Sequence, residues 1–358
     1  MCINIREGRW KSPKFSLYDF LMHLRRYNKR RLKESKEVFG AIDLGTNSCR
    51  LLICKFDGKI RVIDSYSKVV RLGENIQDNN LLSMDAIERS IKALEVCMEK
   101  VQAHQVTHLR AVTTEACRRA SNSALLINRV FEQLGLTLEI ISSEEEALLA
   151  LEGCAGIFQH NIPYGLAFDI GGGSTEIMWV KIHEETGQRD IIDWISVPYG
   201  VVTLSDEYSS HSTSPRIYEH IRDKVSYDLK IFAEKNNIAS YIQDKKVQMV
   251  GTSGTVTTLA ALFLKLGRYD RAVIDGIYVR SQDLREVMHS ILHMPQKQRN
   301  LHGCIGVGRS DLVVTGSAIL EGILDAFDLP WIRVADRGVR EGILNQLIQK
   351  AQKSSQPI

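Results

Sequence analysis

The chain of 358 residues is long for one typical domain, and its 44% hydrophobic and 25% charged residues exclude disorder as a description of the whole. Its formal net charge of +3 is unevenly placed, because residues 1–37 carry eleven Lys and Arg against four acids, making that segment +7 and the remainder −4. A mildly acidic body argues against a broad nucleic-acid footprint, and no specific nucleic-acid partner is expected.

Residues 1–37 read as a basic arm. "KSPKFSLYDFLMHLRRYNKRRLK" is either an amphipathic helix for an anionic surface or, more plainly, a solvated and disordered leader, with Met22 as an alternative start. From Val38 the pattern becomes α/β. "VFGAIDL", "RLLICKF" and "IRVIDSYSKVV" predict three strands. "SMDAIERSIKALEVCMEKV" predicts a helix with Ile87, Ile91, Leu94, Met98 and Val101 on one face. "HLRAVT" and "LTLEIIS" read as strands, "SALLINRVFEQLG" and "SSEEEALLALEGC" as helices.

The second half opens in the same way, with "GLAFDIG", "STEIMWVKI" and "DIIDWISVP" as strands and "SPRIYEHIRDKVSYDLKIFAEKN" as a long helix. The strand "VQMVGTS" follows, then the helices "GTVTTLAALFLKLG", "SQDLREVMHSILHM" and "SDLVVTGSAILEGILDAF", the strand "WIRVAD" and the helix "GVREGILNQLIQKAQ". This order predicts a duplicated α/β fold of two domains, 38–162 and 163–337, with a C-terminal helix and tail over 338–358. The turn residues of "HNIPYG" place the boundary near Asn161 to Gly165.

The duplication is explicit in two stretches, "AIDLGTNSCRLLIC" from Ala41 and "AFDIGGGSTEIMWV" from Ala167, whose aspartates Asp43 and Asp169 lie 126 residues apart. Each has a strand ending in Asp, then Gly, two residues, Ser, and a second strand. Gly45 and Gly171 permit a tight hairpin whose N–H groups form an anion-binding concavity, with Ser48 and Ser174 as hydroxyl donors. Asp43 and Asp169 are then free to hold a hydrated divalent cation. Two such hairpins facing each other would grip a phosphate from both sides. A third loop, "GTSGTVTTLA", sets Ser253, Gly254 and Thr255 at a helix N-terminus, which suits an anion or an ordinary cap.

Hydrolysis of a phosphoanhydride needs a carboxylate to direct water. Glu144 to Glu146 are candidates, although Ser143 and Glu146 have capping-box spacing. Glu176 starts the strand behind the second hairpin, where Arg50 stands in the first copy. In "TTEACRRA", Arg118 and Arg119 follow a strand and suit phosphate contacts or a plain helix start. No G-x-S-x-G, H-E-x-x-H or Walker A pattern occurs. His289 and His293 have ligand spacing without a clear third ligand and read as an exposed or packed pair. Seven cysteines with no C-x-x-C pair fit a reducing compartment, and no apolar run is long enough to cross a membrane, so a cytoplasmic protein is expected.

The ordered motifs "AIDLGTNSCRLLI", "TTEACRRA", "EIISSEEEALLA", "FDIGGGSTEI", "GTSGTVTTLAAL", "GRSDLVVTGSAIL" and "VADRGVREGIL" resemble the exopolyphosphatase and guanosine pentaphosphate phosphohydrolase (Ppx/GppA) family. That resemblance implies the actin-like, sugar kinase-like (ribonuclease H-like) two-domain fold with an interdomain cleft. It implies Glu146 as the base or water-orienting residue, Asp169 and Glu176 at the metal and phosphate centre, and Arg118 as a phosphate-binding arginine. The phosphate-binding set becomes Gly45, Asn47, Ser48, Arg50, Arg118, Gly171, Gly172, Gly173, Ser174, Thr175, Ser253, Gly254 and Thr255. Glu146 and Glu176 form the catalytic set, and Asp43, Asp169 and Glu176 the metal set, with Mg²⁺ as the ion.

Leu148 stands where the family often has Arg, and "TNSCR" replaces Ser-Asn-Ser-Phe. The chain resembles the short form, without the C-terminal helical domain that helps hold long polyphosphate. The implied activity is release of terminal phosphate from polyphosphate by a homodimer. Guanosine pentaphosphate hydrolysis is the alternative, beside a kinase or ATPase of the same fold and a non-catalytic sensor of polyphosphate or guanosine tetraphosphate.

Overall fold

A computed structural model describes residues 37–208 and 214–354, so the basic arm lies, apart from Glu37, outside the described residues. The chain opens with a meander of β1 (Val38–Leu44), β2 (Ser48–Phe56) and β3 (Ile60–Val69). Helix α1 (Met84–Ala103) follows, capped by Ser83, whose Oγ accepts the N–H of Ala86. Then come β4 (His108–Thr113), the short α2 (Glu115–Arg119), α3 (Ser123–Leu134), β5 (Leu138–Ile140) and α4 (Ser143–Cys154). Gly135 stops α3 in the left-handed conformation, φ 62°.

The second unit repeats the plan with β6 (Tyr164–Ile170), β7 (Thr175–Ile182) and β8 (Arg189–Val197). It continues through α5 (Val201–Tyr208), α6 (Pro215–Lys235), β9 (Val247–Thr252) and α7 (Gly254–Phe263). After β10 (Tyr278–Arg280) and α8 (Ser281–His293), α9 (Leu312–Phe327), β11 (Trp331–Ala335) and α10 (Val339–Ser354) complete the chain.

The sheets have the orders β3-β2-β1-β4-β5 and β8-β7-β6-β9-β11-β10. In each, an antiparallel meander is extended by parallel strands, β4 and β5 in the first and β9 and β11 in the second. The α/β fold is therefore the duplicated actin-like one, with β10 added as an edge strand. The sequence did not predict β10, which has only three residues, or α5, which follows the Pro-Tyr-Gly turn after β8.

Both faces of each sheet are covered, which explains the continuous apolar runs. On β1, Ile42 and Leu44 face α1 and α3, while Phe39 and Ala41 face the opposite layer with Leu149 of α4 and Ile343 of α10. Helix α4 is shared between the sheets. Its Leu149 and Ala150 pack on the first, and its Ala147, Leu151 and Cys154 pack against Ala167, Met178 and Val180 of the second. Close packing of α4 with α10 depends on glycine, because a Cβ on Gly153 would lie 2.0 Å from the Gly338 carbonyl oxygen and one on Gly342 2.1 Å from that of Leu149. The C-terminal helix thus returns to the first sheet and clamps the helix that begins at the cleft floor.

Candidate active site

The two glycine hairpins have the same hydrogen-bond frame. The Gly45 N–H donates to the Ser48 carbonyl at 3.0 Å and the Gly171 N–H to that of Ser174 at 2.9 Å. Asp43 pairs across its hairpin with Arg50, and Asp169 occupies the same register opposite Glu176. The copies differ mainly in which charge faces each aspartate.

The hairpin tips touch. A Cβ on Gly172 would meet Thr46 Cβ at 2.9 Å and the Asn47 nitrogen at 3.0 Å, and one on Gly173 would lie 2.7 Å from Glu115 Cγ. Only glycine permits this approach. Two further contacts bridge the units: Arg71 donates to both carboxylate oxygens of Asp311 at 3.0 and 2.9 Å, and the Asn75 N–H donates to Asp206 at 2.9 Å.

A cavity between the hairpins is lined by Asp43, Asn47, Ser48, Glu146, Asp169 and Gly171 to Ser174, with Gly45, Arg50, Ser253, Gly254, Thr255 and Arg309 also on its wall. Asn47 Oδ1 and Ser48 Oγ are buried there without a hydrogen-bond partner. Leaving such groups unpaired costs roughly 1–3 kcal/mol each, so a polar partner, water or ligand, is favoured at this wall.

Glu146 begins the second turn of α4. Its helix is capped by Ser142, whose Oγ accepts the Glu145 N–H at 3.1 Å, in place of the Ser143–Glu146 box that the spacing predicts. Glu146 is thereby free of capping duty, and its Oε2 accepts from Arg118 Nη1 at 2.8 Å. Burial pushes its pKa well above the usual carboxylate range and the Glu176 charge adds to this, against the opposing Arg118. Arg118 is heavily engaged. It also donates to the Ile141 carbonyl at 2.9 Å and to Glu115 at 2.9 and 3.1 Å, and it does not line the cavity.

Glu176 and Thr175 lie beneath the second hairpin. Glu176 Oε1 accepts from Ser174 Oγ at 2.6 Å and Ser196 Oγ at 2.8 Å, and Thr175 Oγ1 donates to the Tyr199 carbonyl at 2.6 Å. Burial raises the Glu176 pKa although both serines favour its ionised form. Burial pushes Asp169 up to about 7, with the neighbouring Glu176 charge adding to the effect. Asp43 is also raised by burial, with Arg50 and Arg340 pulling the other way. Ser253 caps α7, accepting from the N–H groups of Thr255 and Val256 at 3.1 Å each, from a strained backbone at φ 140°.

A second chamber of about 410 Å³ opens from the first and shares Asp43, Arg50, Asp169 and Arg309 with it. Arg337, Arg340, Asp336 and Tyr269 also line it. Burial lowers the pKa of Arg309 and of Arg340, and the charge of Arg50 lowers both further, a mutual repulsion that an anion would relieve. The sequence reading missed Arg309 and Arg340 because single arginines beside a helix carry no spacing signal.

His289 and His293 stand on α8 with their Nε2 atoms 3.2 Å apart, exposed and outside the cleft. Among the described residues no group of three or more His, Cys, Asp and Glu side chains is arranged to hold a metal ion. Asp43 and Asp169 still fit Mg²⁺. Their carboxylates are hard oxygen donors that line the cavity and have no side-chain hydrogen bond or ion pair among the described residues, and this ion is commonly held by one or two carboxylates together with substrate phosphates and water. No described helix is long and apolar enough to cross a membrane.

The sequence profile of the Ppx/GppA phosphatase family matches residues 53–351. Exopolyphosphatase 2 of Mycobacterium tuberculosis is 31% identical over 294 residues, covering 78% of this chain and 88% of that one. The guanosine-5'-triphosphate,3'-diphosphate pyrophosphatase of Vibrio parahaemolyticus is 26% identical over 322 residues, 89% of this chain and 61% of its own. The crystal structure of the Aquifex aeolicus Ppx/GppA family member superposes with a TM-score of 0.70 at 26% identity, over 90% of this chain and 99% of that one. With the cleft, the paired hairpins and the match over most of its length, the chain belongs to the Ppx/GppA phosphatase family, whose members hydrolyse phosphoanhydride bonds.

Proposed function

We propose that this chain is an exopolyphosphatase that removes the terminal phosphate from inorganic polyphosphate. One observation carries the reading: Glu146, its carboxyl held by Arg118 and its pKa raised, lines the same cavity as two anion-binding hairpins. Backbone N–H groups of the Gly45 and Gly171 hairpins hold the terminal phosphate, with the Ser48 hydroxyl, which has no partner among the described residues, donating to it. Glu146 accepts a proton from water as the water oxygen bonds to the terminal phosphorus. The bridging P–O bond breaks, and the shortened chain leaves with the bridging oxygen. Arg50, Arg309 and Arg340 in the second chamber hold the following phosphates. Asp43 and Asp169 would hold Mg²⁺, which when bound neutralises anhydride oxygens. Contact between the hairpin tips excludes bulk water.

The polyphosphate assignment is favoured over guanosine pentaphosphate by the relative at 31% identity and by a second chamber whose walls carry four arginines. We also propose a cytoplasmic location, in keeping with six described cysteines that are all free thiols, and, separately, a homodimer, as the family resemblance implies. The test is phosphate release with Mg²⁺ from short polyphosphate, long polyphosphate and guanosine pentaphosphate in parallel. Polyphosphate is expected to be the preferred substrate. Faster release from guanosine pentaphosphate would reassign the substrate, and binding without release from any of the three would make the protein a sensor.

A further inference from the structure

Arg299 is only 3% exposed and has no carboxylate within ion-pair distance among the described residues. Its guanidinium donates to three backbone carbonyls instead: Nε to Ser310 at 2.9 Å, and Nη1 to Met294 at 2.5 Å and to Ile291 at 3.3 Å. Burial lowers its pKa, with the charge of Asp311 working against that. A buried, unpaired cation is expensive, and an apolar side chain of similar volume would pack there more cheaply. Such a group calls for a purpose beyond filling space.

The carbonyls it joins supply that purpose. Ile291 and Met294 belong to the last turn and C-cap of α8, a rigid helix anchored by Leu284, Met288 and Ile291 in the core. Ser310 lies in a segment with little rigidity of its own, since Gly303, Gly306 and Gly308 occupy three of six positions and Gly306 sits at φ 78°. The neighbours of Ser310 are the residues that reach the cleft. Arg309 lines both chambers, and Asp311 binds Arg71 across the cleft rim.

We propose that Arg299 is a positioning residue that fixes the Ser310 carbonyl to the end of α8, so that Arg309 is aimed at the phosphate chain and Asp311 at Arg71. The proposal rests on the reading of Arg309 as a phosphate-binding residue. It assigns a role in substrate affinity to a side chain that touches no substrate.

The test is steady-state phosphate release from polyphosphate by the full chain carrying R299Q, R309Q or both, with Tm measured for each. R299Q and R309Q are each expected to raise KM about tenfold, a loss near 1.4 kcal/mol, with a smaller change in kcat. The double variant is expected to match R309Q, because both changes remove one interaction. R299K, which keeps the charge, is expected to recover part of the affinity, and it serves in place of R299Q if that variant does not fold.

A lowered Tm with unchanged KM in R299Q would reduce Arg299 to a packing residue and overturn the proposal. So would KM effects that multiply in the double variant. An unchanged KM in R309Q would overturn the reading of Arg309 and this proposal with it, whereas a raised KM in R309Q alone would overturn only the proposal.

Discussion

Arg118 and Glu146 bind each other at 2.8 Å, so the arginine at the end of the "TTEACR" stretch holds the carboxylate at the cavity wall. The two come from α2 and α4, and the same guanidinium also holds Glu115 and the Ile141 carbonyl. One side chain thus fixes the orientation of Glu146 and tempers the rise of its pKa.

This relationship predicts opposite shifts in two pH profiles. Glu146 must be ionised to accept a proton, so kcat/KM rises with pH through its raised pKa. Removing Arg118 takes away a charge that lowers that pKa, so R118Q moves the rising limb to higher pH. Removing the Glu176 charge with E176Q moves it to lower pH. Profiles of kcat/KM against pH that shift together, or not at all, would break the link.

Asp169 makes a prediction for stability. Its folded pKa of about 7 stands above the ordinary 3.8, so its contribution to stability is fully present below about pH 4 and is lost as pH rises through 7. D169N removes that titration. In metal-free buffer it is expected to unfold at higher denaturant than the parent at pH 8, by up to about 4 kcal/mol, with the advantage vanishing towards pH 4. An equal difference at both pH values would contradict the account.

Gly172 is predicted to be intolerant of any side chain. A Cβ there would sit within 3.0 Å of the opposite hairpin, so G172A must hold the hairpins apart. Phosphate release is expected to fall at least tenfold, about 1.4 kcal/mol in the barrier, with little change in Tm because the contact joins units that each have their own core. Tm and kcat/KM measured together decide this.

Arg340 is predicted to serve substrate charge and not folding. Its pKa is lowered by burial and by Arg50 against the opposing charges of Glu341 and Asp43, and its side chain has no hydrogen bond among the described residues. R340Q is therefore expected to keep or raise Tm while increasing KM for polyphosphate several-fold. A large loss of Tm would show that the side chain holds the fold.

Much of the architecture was legible because duplication repeats its own signals. Asp at the end of an apolar strand, followed by Gly and Ser in fixed register, marked both hairpins, and helical periodicity marked Ile87, Ile91 and Leu94, which are buried. What pattern could not give was partnership between distant residues. Ser142, not Ser143, caps α4, a one-residue difference that local spacing cannot resolve. Glu176 was legible as a strand residue near phosphate, but its burial beneath Ser174 and Ser196 depends on the packing of β8. Arg309 and Arg340 enter the cleft only because β11 and α9 bring separate segments to one place.

The most direct test of the central claim is Mg²⁺-dependent phosphate release from polyphosphate by the parent and by E146Q, each shown to be folded by its Tm. Glutamine keeps the shape and the contact to Arg118 but cannot accept the proton. For E146Q, kcat is expected to fall about 10²–10⁴-fold with KM largely retained. Release by E146Q at the parent rate would contradict the assignment of Glu146 and, with it, the mechanism built on this cleft.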